Sequence, residues 1–293
     1  MVRLHIAIDL QYEVHAPGAD FIFNVQAAHS PQQTVAWEEL QISQPVPLVM
    51  HTDAPTRTRI LRLTAVPGPL SLRYRATLDM AHHVEQPDDI RETPVAQLPP
   101  EALAYIYPSR YCQSDCVTAM ANELFGQVPQ GYRRVQAIQK WVQSQVTFES
   151  GTSNSMTSAL DTMNDHKGVC RDFAHLMITL CRALNIPARF TTAIDFGADP
   201  ALGPTDFHAY VEAYIGHRWY IFDPSGTAIP MGFLRIGTGR DAADVSFATI
   251  FGSVFAQPPR IDISAQVSPQ HGWLMPVHRE EALSTDGGWQ AVA

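Results

Sequence analysis

Basic residues are scarce and scattered in this chain: 20 Lys and Arg stand against 29 Asp and Glu, a formal charge of −9, with no Lys/Arg-rich run. Nucleic-acid phosphates and anionic membrane surfaces find no electrostatic anchor, so neither nucleic acid nor membrane is expected as a partner. Long apolar runs are missing too. No segment approaches the roughly 20 apolar residues that cross a bilayer. From Met1 to Val14 polar and apolar residues alternate, where an export signal would be continuously apolar. Cysteine is confined to positions 112, 116, 170 and 181, too few and too irregular for a disulfide framework. A reducing compartment, the cytoplasm, is therefore expected, with thiols left free for chemistry. No P-loop, GxGxxG, GxSxG or EF-hand-like string occurs, and Cys112 with Cys116 lacks the second ligand pair that zinc needs. No cofactor and no metal are expected.

The 293 residues are 45% hydrophobic and 17% charged, the composition of a soluble globular protein large enough for two packed units. Leu4, Ile6, Ile8 and Leu10 alternate with polar or small residues, the period of a half-buried strand. FIFNVQAA (21–28), TRILRLTAV (58–66) and LSLRYRATLDM (70–80) read the same way. Pro67-Gly68-Pro69 between the last two predicts a hairpin. Residues 1–95 thus read as an all-β, sandwich-like domain. Residues 96–110, with Pro99, Pro100 and Pro108, read as a linker.

Beyond the linker the period changes. Helices are expected at 114–125, across Tyr132, Val135, Ile138, Trp141 and Val142, and near Thr157. The strongest spans 169–184, where Phe173, Leu176, Met177, Leu180 and Leu184 form one apolar stripe before Asn185 and Pro187 end it. Strand candidates ARFTTAIDF, HAYVEAYI and RWYIFD follow, so 111–260 reads as an α+β domain. Residues 261–293 form a C-terminal extension to which the sequence assigns no role.

Cys170 follows Gly168, opens the strongest helix and is flanked by Lys167 and Arg171, all of which favour an anionic sulfur. A lone buried cysteine more often just fills space, and Cys181 fits that reading. The downstream hairpin adds weight. A two-residue turn at Gly216-His217 pairs Ile215 with Arg218, Tyr210 with Asp223 and His208 with Ser225. His208 and Asp223 then become diagonal neighbours on one face. Taken singly, His208 could be a satisfied strand histidine and Asp223 a turn cap before Pro224. Taken with Cys170 they follow the nucleophile, base and orienting-carboxylate logic of a triad.

The strings GVCRDFAH (168–175), ALNIPARF (183–190), FHAYVEAYI (207–215) and WYIFDPSG (219–226) together resemble the bacterial transglutaminase-like superfamily, whose core is papain-like. The resemblance spans about 98–255 and includes GRDAADVSF, while the β-rich region with LPPEAL and PSRYC is similar to the usual preceding domain. It implies a fold of α+β class, a transglutaminase-like core preceded by an all-β domain. It also implies Cys170 as nucleophile, His208 as base and Asp223 as its orienter. Asp172, Arg240 and Asp241 fall within matched strings and are candidates to touch substrate, whereas His175 reads as structural. The implied reaction is acyl transfer on amide bonds of a protein or peptide through a thioester, with hydrolysis favoured. The alternatives are transamidation to an amine, or a non-catalytic binding module. The Cys170 N–H can supply one oxyanion donor. Trp141, placed in a helix, does not match the Trp donor of animal relatives.

Overall fold

The computed structural model describes residues 1–198, 201 and 203–287. The first strand, β1 (Val2–Phe23), is 22 residues long, and its alternation buries Leu4, Ile6, Ile8 and Leu10 on one face. It is followed by β2 (Gln33–Ile42), β3 (Val49–Thr52), β4 (Arg59–Ala65) and β5 (Gly68–Met80). The hairpin expected between β4 and β5 does not form. β5 pairs with Val2–Val14 and β4 with Ala19–Phe23, so the two lie end to end along one edge of β1. The reason is the length of β1, which bends between Val14 and Ala19; Val66 and Pro67 carry its partner edge round the same corner. Gly18 makes the corner possible: its φ is +131°, and a Cβ there would come within 2.6 Å of the Ala65 carbonyl oxygen. β2 pairs with β5 and β3 with β4, outside this central ribbon.

A short β6 (His83–Glu85) and α1 (Pro100–Leu103) carry the chain through the Pro-rich passage. Next come α2 (Thr118–Phe125), α3 (Tyr132–Gln145), β7 (Thr147–Phe148), α4 (Ala159–Asp165), β8 (Lys167–Gly168) and α5 (Cys170–Ala183). The chain then forms β9 (Ala188–Asp195), β10 (Phe207–Ile215), β11 (Arg218–Phe222) and β12 (Phe233–Gly239), a sheet ordered β11-β10-β9-β12. One face, with Phe190, Val211, Ala213 and Phe222, packs on the helices. The other, with Ile194, Tyr210, Ile221 and Leu234, packs on the curled N-terminal sheet. The α+β core is thus sandwiched between its own helices and the all-β region.

The C-terminal part returns to both units. β13 (Ala248–Ala256) and β14 (Arg260–Gln266) pair with β1 along its second edge, so the sequence division after 260 falls inside β14, a strand of that sheet. β15 (Ala282–Ser284) pairs with β6. Just beyond it, Asp286 ion-pairs with Arg189 and, at 3.3 Å, with Arg235, while its carbonyl accepts from Arg218 at 2.7 Å. Arg189 also pairs with the fully buried Glu212 at 2.5 Å. The extension therefore clamps β9, β10, β11 and β12 together.

Burial pushes the Asp286 carboxyl up, but Arg189 and Arg235 more than offset it and bring it down to about 2. A depressed carboxylate contributes stability above its unfolded value and loses it as pH falls through the folded one. Asp286→Asn should therefore lower unfolding free energy by about 3 kcal/mol at pH 7. In urea melts that gap should close between about pH 4 and pH 2.

Candidate active site

An antiparallel sheet returns alternate strand ends to the same side. The end of β9, the start of β10 and the residue after β11 therefore meet, which brings Asp195, His208 and Asp223 together. The turn is the one expected: Gly216 and His217 both have positive φ, near 60°, and Ile215 pairs with Arg218 and Val211 with Phe222. α5 crosses β10 and delivers Cys170 at its first turn.

His208 lies between two carboxylates. Its Nε2 is 3.4 Å from Asp223 Oδ1 and its Nδ1 is 3.4 Å from Asp195 Oδ2, with all three side chains buried. Burial alone would lower the imidazole pKa. The Asp223 carboxylate and the neighbouring Cys170 sulfur outweigh it, and the ring holds its proton well above the ordinary value.

The two carboxylates differ. Asp223 is held from behind by Ser225 N–H at 3.1 Å, Ser225 Oγ–H at 2.6 Å and Ala228 N–H at 3.4 Å. Burial would raise its pKa, but His208 and these donors keep it below the usual carboxylate range. Asp195 instead lines a cavity of about 580 Å³, together with Cys170, His208, Arg171 and Asp206. Burial raises its pKa, and His208 only partly counters this. Asp195 was not a sequence candidate. It falls in ARFTTAIDF, where one acidic residue ending a strand carries no signal until its pairing with β10 is known.

Cys170 is half-buried on this cavity, and at the helix start the N–H groups of Cys170 and Arg171 have no intrahelical acceptor. Cys112 and Cys181 are fully buried, which pushes both thiols up to about 12, while Cys116 is exposed.

The other sequence candidates have different surroundings. The Asp172 side chain is fully buried and caps α5, accepting from Val169 N–H at 2.9 Å and Ser153 Oγ–H at 2.8 Å. Gly168 makes room for it, since a Cβ there would sit 2.7 Å from Asp172 Cβ. Asp241 is buried and holds Tyr111 N–H at 3.0 Å and Ala243 N–H at 2.9 Å. Arg240 faces solvent and pairs with Asp244 at 2.8 Å. These contacts give all three a structural occupation rather than a substrate contact. The loop that carries Arg240 and Asp241 reaches the cavity through Ala242, Ser246 and Phe247 instead. His175 stacks between Tyr111 and Phe190 and accepts from Ala242 N–H at 3.1 Å; burial first, and then Arg171 and Arg182, keep it neutral. Trp141 lies in α3, against Phe125.

Residues 2–101 match the bacterial transglutaminase N-terminal domain and residues 118–224 the transglutaminase-like superfamily. A crystal structure of a candidate cysteine protease from Cytophaga hutchinsonii is 36% identical, with TM-score 0.88 over 97% of each chain. The chain belongs to the transglutaminase-like superfamily. An uncharacterized protein from Mycobacterium leprae is 28% identical over 146 residues, 48% of this chain and 52% of its own length. One from Mycobacterium bovis is 28% identical over 139 residues, 43% of this chain and 44% of its own. The chain spans about half the length of these curated relatives. Among the described residues no helix is long and apolar enough to cross a membrane.

Brief iodoacetamide treatment at neutral pH should label Cys170 at least about tenfold faster than exposed Cys116, with Cys112 and Cys181 silent until unfolding. Equal rates at 170 and 116, read by peptide mass spectrometry, would count against an activated thiol. Asp223→Asn removes the strongest influence raising the His208 pKa, so the ring should lose its proton at lower pH. The alkaline limb of Cys170 alkylation should move down in pH, and the plateau rate should fall by about 10- to 100-fold.

Proposed function

We propose that this protein is a cysteine peptidase or amidase that cleaves amide bonds of a peptide or protein through a thioester on Cys170. The observation that carries the reading is the placement of His208, facing anchored Asp223 on one nitrogen and sharing a cavity with Cys170. Cys170 Sγ attacks the carbonyl carbon, and the oxyanion forms beside the N–H groups of the helix start. The C–N bond breaks, and the amine leaves with a proton from His208 Nδ1. Water then attacks the thioester, its proton passing to His208, and the sulfur leaves as thiolate. Asp223 fixes ring orientation and stabilises the imidazolium.

Hydrolysis is favoured over transamidation because the half-buried thiol stays open to water from the cavity. Phe148, Phe190, Phe207 and Phe247 line that cavity and suit an apolar substrate side chain. Its single sulfhydryl nucleophile suits a reducing compartment, as do four free cysteines. The resemblance to the Cytophaga candidate protease over nearly the whole chain supports the same reading.

Incubation with a casein digest and a fluorescent primary amine, analysed by mass spectrometry, should yield new carboxyl termini or deamidated glutamine with little amine incorporated. Dominant amine incorporation would make the protein a transamidase. Cys170→Ala should abolish either product, a loss of at least about 10³-fold. Full activity in that variant would overturn the proposal, and no product from the parent would favour a binding module.

A further inference from the structure

Asp223 occupies one ring nitrogen of His208, yet a second buried carboxylate, Asp195, stands 3.4 Å from the other. This is ion-pair distance, longer than a well-formed hydrogen bond. Beyond its own backbone N–H and the imidazole, no donor among the described residues reaches the Asp195 carboxylate. It lines the cavity beside Cys170 and His208. A carboxylate so placed can accept a hydrogen bond from whatever molecule stands next to Nδ1.

Chemistry dictates which molecule that is. In acylation the C–S bond forms, the C–N bond breaks and the amine departs with the Nδ1 proton. In deacylation a nucleophile H–X attacks the thioester carbonyl, passes its proton to Nδ1 and expels the thiolate. The nucleophile therefore occupies the place the amine has left. It carries a second N–H or O–H that is not transferred. We propose that Asp195 is the nucleophile-positioning residue of this site, accepting that second hydrogen from the water or primary amine that resolves the thioester. The proposal rests on the Cys170–His208 reading and extends it to the residue that orders the second half-reaction. Arg171 lines the same cavity but is engaged by Ser153 Oγ and Asp172 Oδ1. Asp206, also in the lining, adds negative charge that draws an alkylammonium towards this end.

The test uses p-nitrophenyl acetate on the full chain, because nitrophenolate leaves without a proton and acylation then bypasses Asp195. Burst kinetics report acylation, and the steady state reports deacylation by water or by added butylamine. Asp195→Asn should keep the burst rate within about 3-fold while deacylation by both nucleophiles falls about 10- to 100-fold. Formate should restore part of the rate to Asp195→Ala, a rescue that a purely structural residue would not show. Thermal melts of both variants guard against misfolding. Deacylation unchanged, or acylation and deacylation falling together without formate rescue, overturns the proposal. If the parent itself forms no acetyl adduct on Cys170, the proposed function fails first, and mass spectrometry separates that outcome from the others.

Discussion

The two-residue turn at Gly216-His217 is the constraint on which the site depends. Strand side chains alternate faces, so adding one residue to this turn would send His208 and Asp223 to opposite sides of the sheet. Both turn residues have positive φ, a conformation that glycine adopts freely and histidine tolerates. Once Ile215 faces Arg218, every pair up to Val211 and Phe222 follows, and Asp223 emerges next to the start of β10. β9 on the other side of β10 then brings Asp195 to the second nitrogen of the same ring.

The rest of the molecule holds that arrangement rigid. The helices cover one face of the sheet and the curled β region the other, so the strands carrying the site cannot shift without opening two apolar cores. Glu212, Arg189, Arg235 and Asp286 form a buried ionic cluster that ties β9, β10 and β12 to the C-terminal segment. Charges this deep persist only when mutually satisfied, so the segment after β15 completes the sheet rather than trailing from it. A second such tie runs from α5 to the loop after β12: His175 holds Ala242, and Arg182 donates to the Arg240 carbonyl at 2.5 Å.

Local features were legible in the sequence and distant pairings were not. The α5 stripe, its start at Cys170 and the β10–β11 register could be read from periodicity and turn chemistry, because each depends on neighbours in the chain. The run from Arg59 to Met80 looked like a hairpin because a Pro-Gly-Pro break between strands has that local signature. What decided otherwise was the 22-residue length of β1, whose bend accepts both strands along one edge. The partnership of β13 and β14 with β1 joins residues more than 200 positions apart, and no local pattern announces it. Asp195 escaped for the same reason, since its role is defined by a strand partner. Asp172 shows the converse: a motif residue whose carboxylate is consumed by its own helix start.

The central claim is that Cys170, His208 and Asp223 act as one unit. It is tested most directly by burst acylation with p-nitrophenyl acetate in His208→Ala, Asp223→Ala and the double variant. If Asp223 works only through the imidazole, the double variant is no slower than His208→Ala within about 3-fold. Losses that multiply would show the carboxylate and the imidazole acting independently, and would contradict the account.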